Sequence, residues 1–122
     1  MDKKSILLVE DNTCLRCLLK DYLGKNYNVY EASGYREAIE HLDSKIDLAI
    51  TDHDLPDGDG FEVIKAFRKI NPTIPIIMIT GNGNKSIEET ALKLRVADYI
   101  EKPLRIKHLE QRISEILCLQ VK

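Results

Sequence analysis

The sequence predicts an α/β fold, a doubly wound sheet of five parallel strands with five helices, and three observations carry that prediction. Five short apolar runs alternate with helix-length segments whose apolar residues recur at helical spacing. Three of the runs are apolar almost throughout, as strands covered on both faces are. Four of the runs lead into residues that handle charge, namely Glu10-Asp11, Asp52, Thr80 and Lys102-Pro103, and the carboxyl ends of parallel strands are where such sheets bind ligands.

Each element has its own warrant. Residues 5–10 read as the first strand. Asn12 or Thr13 can cap a helix carrying Leu15, Leu18, Leu19, Tyr22 and Leu23, which Gly24 stops. Residues 28–32 form a second strand that alternates more than the others, as a sheet edge would. Ser33 is placed to cap a helix running to about Leu42. Residues 47–52 make the third strand, followed by a loop rich in Asp, Gly and Pro. A helix from about Gly60 to Ile70 ends at Asn71-Pro72. Residues 75–80 are the fourth strand, 85–94 a helix, and 97–101 the fifth strand. The last helix starts near Leu104 and runs toward Cys118, with Ile106, Leu109, Ile113, Ile116 and Leu117 on one face.

The first, third and fourth runs are the most apolar and belong in the centre of the sheet, with the second and fifth at its edges. Right-handed crossovers then give the flavodoxin-like order 2-1-3-4-5, whose crevice lies between strands one and three. Glu10-Asp11 and Asp52 end those two strands, so the fold gathers three carboxylates, the Thr80 hydroxyl and the Lys102 ammonium at one place. That donor set suits a divalent cation and a phosphoryl group.

Bulk properties narrow the function classes. The chain has 122 residues, 43% hydrophobic and 31% charged, which is one globular domain with a single core. A net charge of −2 gives no electrostatic argument for nucleic acid or a membrane surface. No apolar run approaches the roughly 20 residues that span a bilayer. The first residues do not read as a signal peptide, and the three cysteines are odd in number, so reduced thiols in a cytoplasm are expected. Repeats, low-complexity stretches and linkers are missing from the sequence.

Four segments, in order and each at a strand end, carry a resemblance over essentially the whole chain. They are Val9-Glu10-Asp11-Asn12, Asp52-His53-Asp54-Leu55-Pro56-Asp57-Gly58-Asp59-Gly60-Phe61-Glu62, Ile79-Thr80-Gly81 and Asp98-Tyr99-Ile100-Glu101-Lys102-Pro103. With them the chain resembles the response-regulator receiver domains of bacterial two-component signalling, with residues 1–122 as one receiver domain. The resemblance implies that Asp52 accepts a phosphoryl group from a histidine kinase or a histidine phosphotransfer protein, as a signalling event and not as steady enzymatic turnover. It implies Mg2+, with Mn2+ as an alternative, bound by Asp11, Asp52 and the main-chain carbonyl of Asp54, with Glu10 acting through water. Lys102 and Thr80 supply positive charge and a hydroxyl to the transferring group, and Thr80 and Tyr99 form the switch. Pro56 and Pro103 shape loops, a cis bond before Pro103 aims Lys102 into the site, Gly60 serves backbone geometry, and main-chain N–H groups near Asp54 and Gly81 assist. The readout surface is the fourth helix, fifth strand and fifth helix, acting on an output domain or partner protein or through a phosphorylation-dependent homodimer. The kinase would dock on the first helix around Cys14 to Tyr22.

Two departures from the family pattern stand out. Arg95-Val96 falls where the family's fourth helix commonly ends on a small residue or glycine, and since Arg takes a left-handed cap poorly the helix is expected to end differently. His53-Asp54 follows the phosphoacceptor, where Asp54 is placed to alter the lifetime of an acyl phosphate, while His53 is expected solvated or core-facing. Rival readings start from other residues. Asp52-His53-Asp54 resembles the first motif of haloacid-dehalogenase-type phosphatases, although an acidic pair precedes it and little chain follows. Cys14-Leu15-Arg16-Cys17 opens a helix as in thioredoxin-like oxidoreductases, but no Trp precedes it and the intervening pair lacks Gly and Pro; one or both thiols packing the first helix is expected instead. A non-phosphorylated, receiver-like binding module would lack the key residues, which are all present. No output segment follows the fifth helix, which leaves a single-domain regulator, a piece of a larger regulator and a receiver fused to a kinase all open.

Overall fold

The computed structural model describes residues 3–42 and 45–120; residues 1–2, 43–44 and 121–122 of the expected domain lie outside the described residues. In chain order the elements are β1 (Ser5–Val9), α1 (Thr13–Leu23), β2 (Asn28–Ala32), α2 (Tyr35–Ile39), β3 (Leu48–Asp52), β4 (Asp54–Leu55), β5 (Gly58–Asp59), α3 (Gly60–Ile70), β6 (Ile76–Thr80), α4 (Lys85–Lys93), β7 (Asp98–Glu101) and α5 (Ile106–Gln120). Strands β4 and β5 pair only with each other, as a small antiparallel hairpin turning at Pro56-Asp57, which the sequence presented as a loop. The other five strands form one parallel sheet in the order β2-β1-β3-β6-β7. With the hairpin set aside, that is the predicted 2-1-3-4-5 order.

Residue chemistry explains the layering. Successive strand side chains point to opposite faces, so each apolar strand feeds two cores. Ile6, Leu8, Leu48, Ile50, Ile77 and Ile79 pack under Leu19 and Leu23 of α1 and Leu109 and Ile113 of α5. Leu7, Val9, Ala49, Ile76 and Met78 face the other way, against Ala38 of α2, Val63, Ile64 and Phe67 of α3, and Ala91 of α4. Each fully buried Ile or Leu contributes about 1.5–3 kcal/mol relative to exposure. β3 and β6 are buried at every residue, whereas β2 alternates and β7 is half-buried, which is why those two take the edges.

Two helix ends differ from expectation. α2 covers only Tyr35–Ile39, and its N-cap is Gly34, which has no side chain with which to cap. The cap comes from elsewhere: Asp57 in the hairpin turn accepts hydrogen bonds from the Tyr35 N–H (2.6 Å) and the Arg36 N–H (3.0 Å). These two amides hold the Asp57 carboxyl below its ordinary value. A side chain at Gly34 would meet Asp57 Oδ1 at 2.5 Å, so glycine is what lets the carboxylate reach the helix. Ser33 uses its main-chain N–H, bonded to Glu37 Oε1 at 2.8 Å.

The second difference is at Arg95. It does take the left-handed conformation, with φ 58°. The Val96 N–H bonds to the Ala91 carbonyl (3.3 Å) and the Arg95 N–H to that of Leu92 (3.0 Å), the paired pattern that closes a helix through a left-handed residue. The guanidinium of Arg68 then donates to the carbonyls of Ile74 (3.1 Å), Leu94 (2.7 Å) and Arg95 (3.0 Å). Five hydrogen bonds offset the steric cost that led the sequence reading to a different helix end.

Candidate functional site

Sheet register builds the site. The chain leaves β1 to one side for β2 and returns on the other side for β3, so the connections diverge between β1 and β3. Val9 is level with Thr51, which sets Glu10 and Asp52 side by side just beyond. Asp52 is level with Ile79, so Thr80 stands one residue further on the neighbouring strand. Thr80 is level with Glu101 and its carbonyl accepts the Lys102 N–H at 2.8 Å, which brings Lys102 around the end of β7. The Lys102–Pro103 peptide bond is cis.

Lys102 joins the two buried carboxylates. Its Nζ donates to Asp52 Oδ2 at 2.7 Å and lies 3.0 Å from Glu10 Oε1. Glu10 is 1% exposed and Asp52 4%. Burial alone would lower the Lys102 pKa; the hydrogen bonds and charges of Asp52 and Glu10 together outweigh it and raise the pKa above the ordinary value. Burial raises the Glu10 pKa, with the Asp52 charge adding to it and the Asn12 N–H and Lys102 opposing. The second oxygen of Asp52, Oδ1, accepts the Asp54 N–H at 3.0 Å.

Glu10 is held by the start of α1. Its Oε2 accepts the Asn12 N–H at 3.0 Å, and its main-chain carbonyl accepts from Arg16 Nη1 at 2.7 Å. Asn12 also caps the helix, its side chain accepting the Leu15 N–H at 2.9 Å. Oxygens of Glu10, Asp11 and Asp52 lie within 4.8 Å of one another, the one such group among the described residues. Asp11 is exposed and so reaches the mouth of the crevice. Glu10 Oε1 is buried, and the Lys102 ammonium at 3.0 Å is its one polar partner among the described residues. Three clustered carboxylates, two of them buried and sharing a single ammonium, form an all-oxygen donor set that fits a hard divalent cation and its waters.

The other sequence-selected residues take distinct places. Thr80 is fully buried, and its Oγ1 accepts the Asn82 N–H at 3.2 Å, leaving the hydroxyl proton available to donate. A Cβ on Gly60 would lie 2.5 Å from the Asp52 carbonyl oxygen, so the start of α3 packs on the backbone of the central carboxylate. Gly81 is exposed, and a Cβ there would make only ordinary contact with Lys102. Pro56 is exposed in the hairpin turn and Pro103 exposed after β7. The Asp54 carboxylate, 58% exposed, pairs with His53 Nδ1 at 3.1 Å. The His53 ring is partly buried, edge-on to Phe61 at 5.0 Å. Tyr99 packs against the α2–α3–α4 core, and its hydroxyl is buried without a hydrogen-bond partner among the described residues. Gly83 makes room for it, since a Cβ there would stand 2.5 Å from the hydroxyl. Burial raises the Tyr99 pKa, with Glu101 and Glu88 adding to it.

Cys14 and Cys17 are free and exposed, not packed under the helix as expected, because the buried stripe of α1 runs through Leu15, Leu19 and Leu23. Two contributors to the site were missed. Arg16 looked like a surface helix residue, and nothing in its spacing announces a guanidinium turned back onto Glu10. Asp57 sits in a Pro-Asp-Gly sequence that signals a turn but not the helix that the turn caps.

The sheet order and the lysine-bridged carboxylates at its switch point define a class of doubly wound α/β domain with an acidic crevice at the strand ends. The sequence profile of the response regulator receiver domain matches residues 6–114, and the chain belongs to that family. The family is a signalling module of two-component systems. The chemotaxis protein CheY1 of Helicobacter pylori is 37% identical over 118 residues, covering 92% of this chain and 95% of CheY1. The transcriptional regulatory protein CpxR of Escherichia coli is 37% identical over 113 residues, covering 92% of this chain but 48% of CpxR, so the chain spans about half the length of that relative. The crystal structure of a CheY-like receiver domain from Methanospirillum hungatei superposes with a TM-score of 0.92 at 30% identity, covering 98% of this chain and 97% of that one. No helix among the described residues is long and apolar enough to cross a membrane.

Proposed function

We propose that residues 1–122 act as one phosphorylation-activated switch in which Asp52 takes a phosphoryl group from the phosphohistidine of a sensor kinase or phosphotransfer protein. The observation that carries the reading is the arrangement around Asp52: a buried carboxylate, its oxygens held by Lys102 and the Asp54 N–H, beside the oxygens of Glu10 and Asp11. An Asp52 carboxylate oxygen forms the bond to phosphorus as the bond to the donor imidazole nitrogen breaks, and the nitrogen keeps the electron pair. Lys102 offsets negative charge on the transferring group, and Thr80 donates its hydroxyl proton to a phosphoryl oxygen. Asp11, Asp52 and the Asp54 carbonyl would hold Mg2+, or Mn2+, with Glu10 acting through water; the ion supplies charge neutralisation to the carboxylates and the phosphoryl oxygens.

Output follows from what Thr80 leaves behind. Drawn toward a phosphoryl oxygen, it vacates space beside Gly83, under which the unpartnered Tyr99 hydroxyl lies. Thr80 and Tyr99 then bias the α4–β7–α5 face toward an output domain, a partner protein or a second copy of the chain. Asp54, exposed next to the acceptor, tunes the lifetime of the acyl phosphate. A cytoplasmic setting completes the proposal, with no direct contact to nucleic acid or membrane.

Intact-mass spectrometry tests this, after incubation with acetyl phosphate and Mg2+ and, separately, with a phosphorylated histidine kinase. One added phosphoryl group that disappears in Asp52→Asn and in metal-free buffer is the expected result. No labelling from either donor, in protein shown to be folded, overturns the proposal. Steady release of phosphate from simple esters would instead favour the phosphatase reading.

A further inference from the structure

Beyond the switch itself, we infer that Cys14 and Cys17 are a reversible dithiol–disulfide pair whose closure tightens the first turn of α1 and alters that turn's hold on Glu10. Both thiols are free and exposed, and neither joins the buried face of the helix. Three residues apart on an α-helix they share a face, with Cβ atoms about 5–6 Å apart. A disulfide needs about 3.5–4.5 Å. The gap closes when the turn winds from α toward 3₁₀, where residues three apart eclipse, and helix N-termini adopt that geometry readily.

The segment the bridge would enclose, Leu15-Arg16, is the one that grips the acidic site. The Leu15 N–H is the hydrogen bond that the Asn12 cap receives, at 2.9 Å. Arg16 donates to the Glu10 carbonyl at 2.7 Å and lies 3.4 Å from Glu31. The Asn12 N–H holds Glu10 Oε2 at 3.0 Å. Tightening the turn moves both of these attachments of Glu10 together with the Asn12 cap, so the oxidation state of two surface thiols reaches a buried carboxylate without touching it. Neither thiol has a hydrogen-bond partner and neither cysteine belongs to either core among the described residues, so packing gives no account of the pair.

The chemistry is exchange with a small-molecule disulfide. One thiolate attacks a sulfur of that disulfide, forming a mixed disulfide and releasing one small thiol. The second thiolate attacks the protein sulfur and expels the other. The protein loses two electrons and two protons, and the small disulfide gains them as two thiols.

The test equilibrates the whole protein in anaerobic buffers spanning ratios of a small thiol to its disulfide, quenches with acid, alkylates free thiols and locates the labels by peptide mass. The expected result is a concentration-independent two-electron transition that links Cys14 to Cys17 while Cys118 stays alkylated. Cys14→Ser and Cys17→Ser should each stop at the mixed disulfide. In the bridged form the backbone amide resonances of Asn12, Leu15 and Arg16 should shift, and Mg2+ affinity, titrated by amide shifts, should change by about tenfold, the low end for disturbed outer hydrogen bonds of a metal site. Only mixed disulfides, only links to Cys118 or to a second copy, or a bridge that leaves the Asn12 and Arg16 amides unmoved would each overturn the inference. If the reduced protein bound no Mg2+, the metal part of the proposed function would fail, while the bridge and the amide shifts would still decide this one.

Discussion

Replacing Lys102 with Met keeps the aliphatic stem and removes the ammonium that joins Asp52 (2.7 Å) and Glu10 (3.0 Å). Both carboxylates are nearly sealed from water, at 4% and 1% exposure. Removing one partner of a fully buried ion pair costs about 3–5 kcal/mol, because the remaining charge is left without compensation. The Lys102 side chain is 25% exposed, so water screens part of the interaction. The expected loss for the metal-free protein at neutral pH is therefore about 2–3 kcal/mol.

The pH dependence has a definite sign. Glu10 already has a raised pKa in the folded protein, and without the ammonium it rises further. A carboxyl with a raised folded pKa binds more protons folded than unfolded, so stability falls as pH rises from the unfolded value through the folded one. The Lys102→Met deficit should therefore be small near pH 4.5 and grow toward neutrality. Lys102 itself adds no slope there: its folded pKa is raised, so its stabilisation is complete below its unfolded value of 10.5 and is lost only as pH climbs through the folded one. A divalent cation would supply the missing charge, so added Mg2+ should stabilise the variant more than the parent. Urea denaturation at several pH values, with and without Mg2+, reads all three quantities. A deficit below about 0.5 kcal/mol at pH 7, the level of an ordinary surface change, or one independent of pH, would show that the carboxylates are not held as buried charges by Lys102.

Three further outcomes follow from other contacts. Gly60→Ala places a Cβ 2.5 Å from the Asp52 carbonyl and 3.0 Å from Met78 Cε, and should cost about 1–3 kcal/mol in urea denaturation while shifting the Asp52 amide resonance. Arg95→Gly should raise stability by about 0.5–1 kcal/mol, since relief of the left-handed strain exceeds the added flexibility of glycine; a lower unfolding midpoint would contradict this. Asp57→Ala should leave the Tyr35 and Arg36 amides unprotected and speed their hydrogen exchange at the start of α2, with amides in β3 unaffected.

What the sequence made legible, and what it did not, divides along the range of the forces involved. Ile76 to Thr80 read as a central strand because a run buried on both faces has nowhere polar to turn, and all five residues are buried. Glu10, Asp52, Thr80 and Lys102 could be gathered on paper because parallel strands end at a common level, so position along the chain converts directly into position in the crevice. The departures have a different origin. α2 starts where an aspartate from 22 residues further on reaches it, so no local propensity places its first turn. Arg95 turns left-handed because its own helix-closing main-chain bonds are joined by Arg68, 27 residues earlier, which ties down its carbonyl and that of Leu94, and together these hydrogen bonds outweigh a local preference of about 1–2 kcal/mol. Arg16 shows the same logic inside the site: its helix position is ordinary, and only the folded chain brings its guanidinium within 2.7 Å of the Glu10 carbonyl. Strand-end chemistry is thus a property of the alternating pattern, whereas the groups that orient it come from contacts that the pattern does not encode. Substitutions at Arg16 or Asp57 should accordingly change how firmly the acidic cluster and its neighbouring helix are held while leaving the sheet order intact.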